Sequence, residues 1–295
     1  MDWQTRMAGA LDYMESHIKG EVSFGAAAAA ANCSTFHFLR MFEVVTGMGP
    51  AEYLRRRRLS MAALELACAG TGAGRPRIID LAMDYGYDSA DAFTRAFKRE
   101  FGRLPSEARK PGCPLHVFPR LAFTVALKGD TPMEYRIEKG PALSLAGFSI
   151  RTKGGEGGSF AEVPKFWAAS MRDGRFAALC AKASGSRVGV CGVCHSCDDI
   201  SGDFTYSIAA EIARDEALPE GWDRIEVPAS TWAKFTSRGP LSKNFKDVIK
   251  RIYSEWFPAS GREHAGTPEL EYYPDLPDTE AADYWCEYWV PLKQE

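Results

Sequence analysis

The stretch that decides the fold is RIIDLAMDYGYDSADAFTRAFKREFGRLPSEAR, residues 77–109, which predicts two short helices joined by a tight turn. Gly86 permits the backbone to turn, and Ser89 can cap the second helix. The apolar side chains at helical spacing are Ile78, Leu81, Ala82, Ala92, Phe93, Ala96 and Phe97. This order of helix, turn and helix is the helix-turn-helix pattern, in which the second helix enters the major groove of DNA.

The outer side of that second helix carries the candidate DNA contacts. They are Ala90, Asp91, Thr94 and Arg95. The phosphate backbone repels Asp91, although its carboxylate can accept a hydrogen bond from cytosine N4. Ala90 has no hydrogen-bonding side chain, so we expect this helix to position the protein on DNA more than it reads bases.

A second unit of the same kind precedes it at residues 23–54, SFGAAAAAANCSTFHFLRMFEVVTGMGPAEYL. A helix of small residues is followed by a turn and by a helix that Ser34 can cap. The outer face of this helix presents Thr35, Phe36, His37 and Arg40. Bidentate contact of Arg with guanine is the commonest specific contact, which favours base readout by Arg40 over a phosphate contact or a solvated position. His37 is either a DNA contact or simply an exposed helix residue.

Residues 1–112 resemble an AraC-type DNA-binding domain, most closely in the segments DYGYDS, FTRAFKREFG and PSEAR. The resemblance implies an all-α domain with two helix-turn-helix units, and it places Arg40 and Arg95 at corresponding turns of the two recognition helices. It also implies promoter DNA as a partner, and it makes RNA polymerase a further candidate partner.

The two units are joined by a predicted linker helix from Pro50 to Ala67. Its length of about 26 Å would hold the recognition helices roughly one turn of DNA apart. Four consecutive arginines lie on this helix, beginning with Arg55 and Arg56. We expect them either to neutralise phosphates or to pair with acids across the domain.

Length and composition predict two domains, because 295 residues with 45% hydrophobic content exceed one ordinary core. Prolines concentrate after residue 112, so residues 113–132 are interpreted as a linker and residues 133–295 as the second domain. The net charge of −3 is low for a DNA-binding protein, so DNA contact depends on local clusters of arginine. No transmembrane run or signal-peptide pattern is present, so we expect a cytoplasmic protein without a membrane partner.

The second domain contains an internal repeat. Residues 136–138, Arg-Ile-Glu, followed by Pro141, recur at residues 224–226, followed by Pro228. Each copy leads into an alternating strand, then a helix, then further strands, which predicts two units of β-α-β type. Two such units imply an α+β domain, in which an antiparallel sheet carries two helices on one face.

This domain is similar to the GyrI-like effector-binding domains in the segments LPEGWDRIEVPASTWAKF, IYSEWFPASG and CEYWVPL. The resemblance implies that a hydrophobic, often cationic small molecule binds between the repeats, as in multidrug binding. It also implies a carboxylate on the last strand, which matches Glu287. Trp285, Glu287 and Trp289 share one face of that strand by period two, and an acid between tryptophans suits a desolvated cation.

The alternative is that Glu287 is an edge-strand acid, or an acid paired with Lys234 or Arg136. The candidate cleft walls are aromatic: Trp167, Tyr206, Trp232, Phe235, Trp256 and Tyr273. About half of these are expected to be ordinary core residues, because aromatic side chains are usually buried.

Cys191, Cys194, His195 and Cys197 offer soft metal ligands close together in CGVCHSC. A structural zinc site usually draws ligand pairs from two separated segments, and no second pair follows. We therefore expect reduced thiols, with no metal and no cofactor. The favoured hypothesis is a ligand-responsive DNA-binding transcription regulator that is not an enzyme. The alternatives are hydrolysis of electrophilic ligands, with Glu287 as the general base, or a ligand-free interaction or dimerisation module.

Overall fold

The structure is a computed structural model that describes residues 3–68, 76–110, 112–122, 132–152, 159–183, 188–198, 203–274 and 278–294, apart from the side chains at positions 3, 36 and 160. Its N-terminal part is helical. The helices are α1 (Trp3–Ser16), α2 (Phe24–Ala30), α3 (Thr35–Thr46), α4 (Pro50–Cys68), α5 (Ile78–Asp84), α6 (Ala90–Phe101) and α7 (Pro105–Ala108). None of the described helices is long and apolar enough to cross a membrane.

Two helix-turn-helix units form as predicted, α2 with α3 and α5 with α6. The Ser34 hydroxyl accepts a hydrogen bond from the backbone N–H of His37 at 3.3 Å, and the Ser89 hydroxyl accepts one from the N–H of Ala92 at 3.1 Å. Both recognition helices end at a glycine with a left-handed backbone, Gly47 and Gly102. These local hydrogen bonds fix where α3 and α6 start and stop.

Helix α4 contributes buried side chains to the cores of both units, and Tyr53 near its start packs with Phe38 and Phe42 of α3. The buried Leu59 and Leu66 of α4 pack with Phe93 and Phe97 of α6. The predicted linker is described as far as residue 122, and its first part lies on α4. There the backbone N–H of Phe118 donates to the Ser60 hydroxyl at 2.8 Å.

The C-terminal part is a single antiparallel sheet with helices on one face, which confirms the predicted α+β class. The strands are β1 (Tyr135–Gly140), β2 (Leu143–Thr152), β3 (Val190–His195), β4 (Phe204–Glu211), β5 (Asp223–Val227), β6 (Ser230–Arg238), β7 (Glu269–Tyr272) and β8 (Trp285–Leu292). The helices are α8 (Ser159–Arg172), α9 (Arg175–Lys182), α10 (Leu241–Arg251) and α11 (Phe257–Ser260), with a π-helical turn at Ile252–Trp256.

The sheet order β1-β6-β8-β7-β3-β4-β2-β5 has the symmetry expected of an internal repeat. Each repeat supplies two strands, a helical segment and two further strands. The first strand of each repeat pairs with the other repeat, β1 with β6 and β5 with β2. The approximate two-fold axis passes between β3 and β7, and it relates α8 to α10 on the same face of the sheet.

Alternation along β7 and β8 assigns side chains to the two faces. Leu270 packs with Trp289 on the face away from the helices. Tyr288 packs on the helix-covered face. The core on the helix-covered face is continuous with that of the N-terminal domain, because Phe38 and Phe42 of α3 belong to it. The two domains therefore share buried apolar surface.

Candidate effector cavity and recognition helices

A cavity of about 420 Å³ lies between α8 and α10, above the helix-covered face of the sheet. That volume is in the range typical of small-molecule sites. Its largely apolar walls include Val163, Pro164, Trp167, Phe204, Leu241, Phe245 and Ile249. The buried polar side chains that line it include Tyr206, Tyr273, Glu271 and Arg40, and the exposed Lys246 and Glu280 also line it.

Glu271 is a buried acid in the lining of this cavity, and neighbouring side chains hold it in place. Its Oε2 atom accepts hydrogen bonds from the Tyr206 hydroxyl at 2.5 Å and from the Tyr273 hydroxyl at 2.8 Å. Trp167 Nε1 donates to the Tyr206 oxygen at 2.9 Å, which orients that phenol. Burial raises the pKa of Glu271 above its usual value, although both phenols lower it. The arrangement presents an oriented carboxylate inside aromatic walls.

Gly192 of β3 makes room for this carboxylate. A Cβ atom at Gly192 would lie 2.3 Å from the Tyr206 hydroxyl and 2.5 Å from Glu271 Oε2. Gly192 is the second residue of the CGVC segment, in which Cys194 lines the cavity and Cys191 lies on the other face. Burial raises the pKa of Cys191 to about 12, so its thiol stays protonated. The segment therefore has a steric role beside the cavity.

The described residues contain no group of three or more His, Cys, Asp or Glu side chains placed to hold a metal ion. His195 instead contacts the Ser207 hydroxyl through Nε2 at 2.8 Å.

The position predicted for Glu287 needs correction, since Glu287 does not line this cavity. It lies on the opposite face of the sheet, 3% exposed, where Arg136 contacts it through Nη1 at 2.5 Å and Nη2 at 3.1 Å. Trp289 Nε1 also donates to it at 2.7 Å. This is the ion pair that the sequence offered as an alternative. Trp285 is on the same face and 37% exposed.

The predicted aromatic walls divide between cavity and core. Trp167, Tyr206 and Tyr273 line the cavity as expected. Phe235 and Trp256 instead pack edge to face in the core, with ring centroids 5.0 Å apart. Trp232 lies on the opposite face, against Trp289, at a centroid distance of 6.0 Å. The sequence does carry a signal for the cavity acid, because the alternation E269-L-E-Y-Y273 places Glu269 and Glu271 on one face of a strand.

Glu269, the other acid on that face, is fully buried next to the cavity. It accepts hydrogen bonds from the hydroxyls of Tyr253 and Tyr288, and His264 Nε2 lies 3.0 Å from it. Burial alone would raise its pKa, but the contact with His264 and the charge of Arg40 hold the pKa below its usual value. Glu269 is therefore an ionised acid in the interface between the two domains.

The first recognition helix, α3, packs against the C-terminal domain with the face predicted to read DNA. His37 is 5% exposed and Arg40 is 6% exposed. The His37 ring centroid lies 4.8 Å from that of Phe257 and 5.0 Å from that of His264. The expectation that this face is exposed is corrected, because the second domain covers it. Thr35 is half-buried, and the side chain of Phe36 lies outside the part of the chain that the structure describes.

The second recognition helix, α6, is accessible. Asp91 and Arg95 are exposed, and Ala90 and Thr94 are half-buried. Its inward face holds two of the core phenylalanines of the domain. DNA contact by these four side chains stays a prediction, and nothing in this conformation obstructs them within the described residues.

The arginine run on α4 pairs with acids of the same domain. Arg55 Nη2 lies 2.7 Å from Glu52 Oε1 and 3.0 Å from Glu100 Oε2, and Arg56 Nε lies 2.9 Å from Glu100 Oε1. Arg57, the next in the run, is bonded to Glu15 of α1 at 2.8 Å. These pairs tie α4 to neighbouring helices, so phosphate contact by Arg55 or Arg56 stays a prediction that would need these pairs to be shared or broken.

Comparison with known proteins assigns the two halves separately. The family of integron-associated effector binding proteins matches residues 136–292, and a helix-turn-helix domain family matches residues 27–111. The regulatory protein SoxS of Escherichia coli (strain K12) is 36% identical over 109 residues, which cover 37% of this chain and 97% of that protein. The Right origin-binding protein of the same strain is 40% identical over 100 residues, 34% of this chain and 33% of that protein.

Solved structures similar to the C-terminal part include SAV2435 bound to tetraphenylphosphonium, with a TM-score of 0.49, 24% identity, and coverage of 55% of this chain and 94% of that one. An integron cassette protein of Vibrio cholerae has a TM-score of 0.34 and 15% identity, and covers 54% of this chain and 95% of that one.

Together with the fold, the two family matches define a protein with an AraC-type DNA-binding domain followed by an effector-binding domain. The chain belongs to the family of integron-associated effector binding proteins, its N-terminal part matches the helix-turn-helix domain family, and SoxS is a relative of that part. The resemblances to AraC-type and GyrI-like proteins are thereby confirmed.

Proposed function

We propose that the protein is a ligand-responsive transcription regulator whose cavity between α8 and α10 binds a hydrophobic cation. The observation that carries this proposal is the carboxylate of Glu271, held inside aromatic walls by Tyr206 and Tyr273. A cation with apolar substituents would gain contact area from Trp167 and Phe245 and electrostatic attraction from the acid and the aromatic rings. A neutral molecule of the same shape would gain only the contact area.

The proposed partner of the N-terminal domain is promoter DNA, read by α3 and α6. The support is the pair of capped helices with their matching turns, together with a connecting helix between them. RNA polymerase is a further proposed partner.

Ligand binding can be tested with two ions of the same shape and opposite charge. Tetraphenylphosphonium is the cation, and tetraphenylborate is its anionic counterpart. We expect the phosphonium to bind to the full chain in equilibrium dialysis and to raise the melting temperature with increasing concentration. The borate should do neither. Equal binding of both ions, or of neither, would contradict a cation site.

DNA binding can be tested by selecting duplexes from a random pool with the full chain, with and without the phosphonium. The selected duplex and a scrambled one are then compared by gel shift at several salt concentrations, since non-specific affinity falls steeply with salt. We expect a preference for the selected duplex that persists as the salt concentration rises. Equal affinity for both duplexes at every salt concentration would contradict sequence-specific regulation.

A further inference from the structure

Arg40 joins the two functions of the chain in one side chain. It belongs to α3, on the face predicted to read DNA, yet it lines the cavity together with Glu271. A guanidinium is always charged in proteins, so, besides the exposed Lys246 of α10, the cavity of this conformation already contains a buried cation. That cation is supplied by the other domain.

We propose that Arg40 is a built-in occupant of the cation site, and that a cationic effector competes with it and thereby releases α3 for DNA. This inference rests on the proposed function, because it requires that the cavity binds cations. It adds the means by which binding in one domain is communicated to the other.

Electrostatics make the two cations competitors. The charge of Arg40 helps to hold the pKa of Glu269 below its usual value, and it opposes the rise that burial causes in the pKa of Glu271. Arg40, which lines the same cavity as Glu271, therefore already compensates part of the cost of burying these two acids. A second cation in the same enclosure would meet the guanidinium at short range with little water to screen the repulsion. An effector cation can therefore compensate the negative charge of the two acids in place of Arg40 only if the Arg40 side chain leaves the cavity.

Geometry makes docking of α3 and DNA binding mutually exclusive. His37 is enclosed by rings of the C-terminal domain, and the Ser159 hydroxyl lies 3.4 Å from the Glu43 carboxylate. The loop at Gly266 approaches so closely that a Cβ atom there would lie 2.9 Å from Ser34 Cβ, at the start of α3. A helix covered along this face has no room for a DNA groove. Withdrawal of Arg40 therefore has to accompany exposure of the helix.

The first test uses the wild-type chain and hydrogen exchange with mass spectrometry. With saturating tetraphenylphosphonium, we expect faster exchange in peptides covering residues 35–46 and 252–264, which face each other. Peptides from α8 and α10 should exchange more slowly, because the ligand contacts them. Tetraphenylborate is the control and should change neither set. Unchanged or slower exchange at residues 35–46 on phosphonium binding would overturn the proposal.

The second test measures phosphonium affinity by equilibrium dialysis in Arg40→Leu and Arg40→Lys. Removal of the competing charge should strengthen binding between about 5- and 150-fold, the usual range of coupling between sites. Arg40→Lys keeps the charge and should stay near the wild-type affinity. If wild type and Arg40→Leu bind equally, the competition is refuted and the proposed function stands. If neither binds the phosphonium, the proposed function fails as well.

Discussion

Glu271 and Glu287 form a matched pair for testing which face of the sheet binds the ligand. Glu271 lies on β7 opposite Tyr288, and Glu287 lies on β8 opposite Tyr272, so the two acids belong to adjacent residue pairs of the register. Both are buried, but Glu271 lines the cavity and Glu287 is held by Arg136 on the opposite face. Substitution of each by Gln removes a charge and keeps the shape. The two variants should therefore lose different properties.

The magnitude for Glu271→Gln follows from the charge it removes. Unit charges about 6 Å apart attract by about 3 kcal/mol at an effective dielectric constant near 20. This is an upper bound, because the cavity is open on one side and salt screens part of the attraction. We therefore expect tetraphenylphosphonium to bind about 10- to 100-fold more weakly, since each factor of ten corresponds to about 1.4 kcal/mol.

For Glu287→Gln the expected loss is in stability. The variant breaks a two-pronged ion pair with Arg136, whose side chain is 45% exposed and can return to water. The free energy of unfolding should fall by about 1–2 kcal/mol, because solvent screening reduces the value of a half-exposed pair. Phosphonium affinity should stay within about twofold of wild type, since this acid is outside the cavity.

Equilibrium dialysis of tetraphenylphosphonium and urea unfolding monitored by circular dichroism measure the two properties separately. Wild type and both variants are compared at the same pH and salt. A greater loss of phosphonium binding in Glu287→Gln than in Glu271→Gln would contradict a cation site at Glu271. Such a result would move the ligand to the face that the sequence first suggested.

Two further predictions concern the cavity floor and the interface. Gly192→Ala places a methyl group against Tyr206 and Glu271, so we expect phosphonium affinity to fall at least about tenfold and the thermal midpoint to drop. Equilibrium dialysis and calorimetry measure these two changes. An unchanged affinity would contradict the steric role of Gly192. Burial and the proximity of His264 lower the pKa of His37 in the folded chain. As the pH falls, the His37 imidazole is therefore protonated in the unfolded chain before it is protonated in the folded one, and the free energy of unfolding should decrease below about pH 6.5. Thermal melts from pH 7.5 to 5.5, with His37→Asn as the control that should reduce this slope, measure the effect. The charged or titratable groups around His37 include His264, Tyr253, Arg6 and Lys293.

Much of the N-terminal domain is predictable because its signals are local. A capping serine, apolar residues at helical spacing and a terminal glycine lie within a few turns of one another, as Ser89, Phe93 and Gly102 show. The helices formed where these signals placed them. The same holds for the repeat in the C-terminal domain, because each copy carries its own strand pattern.

The face of a strand is harder to predict, because a period of two defines two faces without saying which one the helices cover. In β8 the sequence places Glu287 between two tryptophans on one strand face, and a carboxylate between aromatic rings is a suitable site for a cation. The helices cover the other face, where Tyr288 points, so the cavity received its acid from Glu271 of β7. Which face of the sheet is covered depends on how α8 and α10 pack, and the residue spacing along β8 carries no information about that packing.

Short-range hydrogen bonds and apolar periodicity specify the two domains, the capped recognition helices and the repeated α+β unit, so these features can be predicted from the residues alone. The packing of α3 against the second domain and the position of Arg40 in the cavity of Glu271 become visible only in the folded chain. These contacts join residues more than 100 positions apart in the chain. They form because two folded surfaces are complementary in shape and charge, and neither surface exists until its own domain has folded.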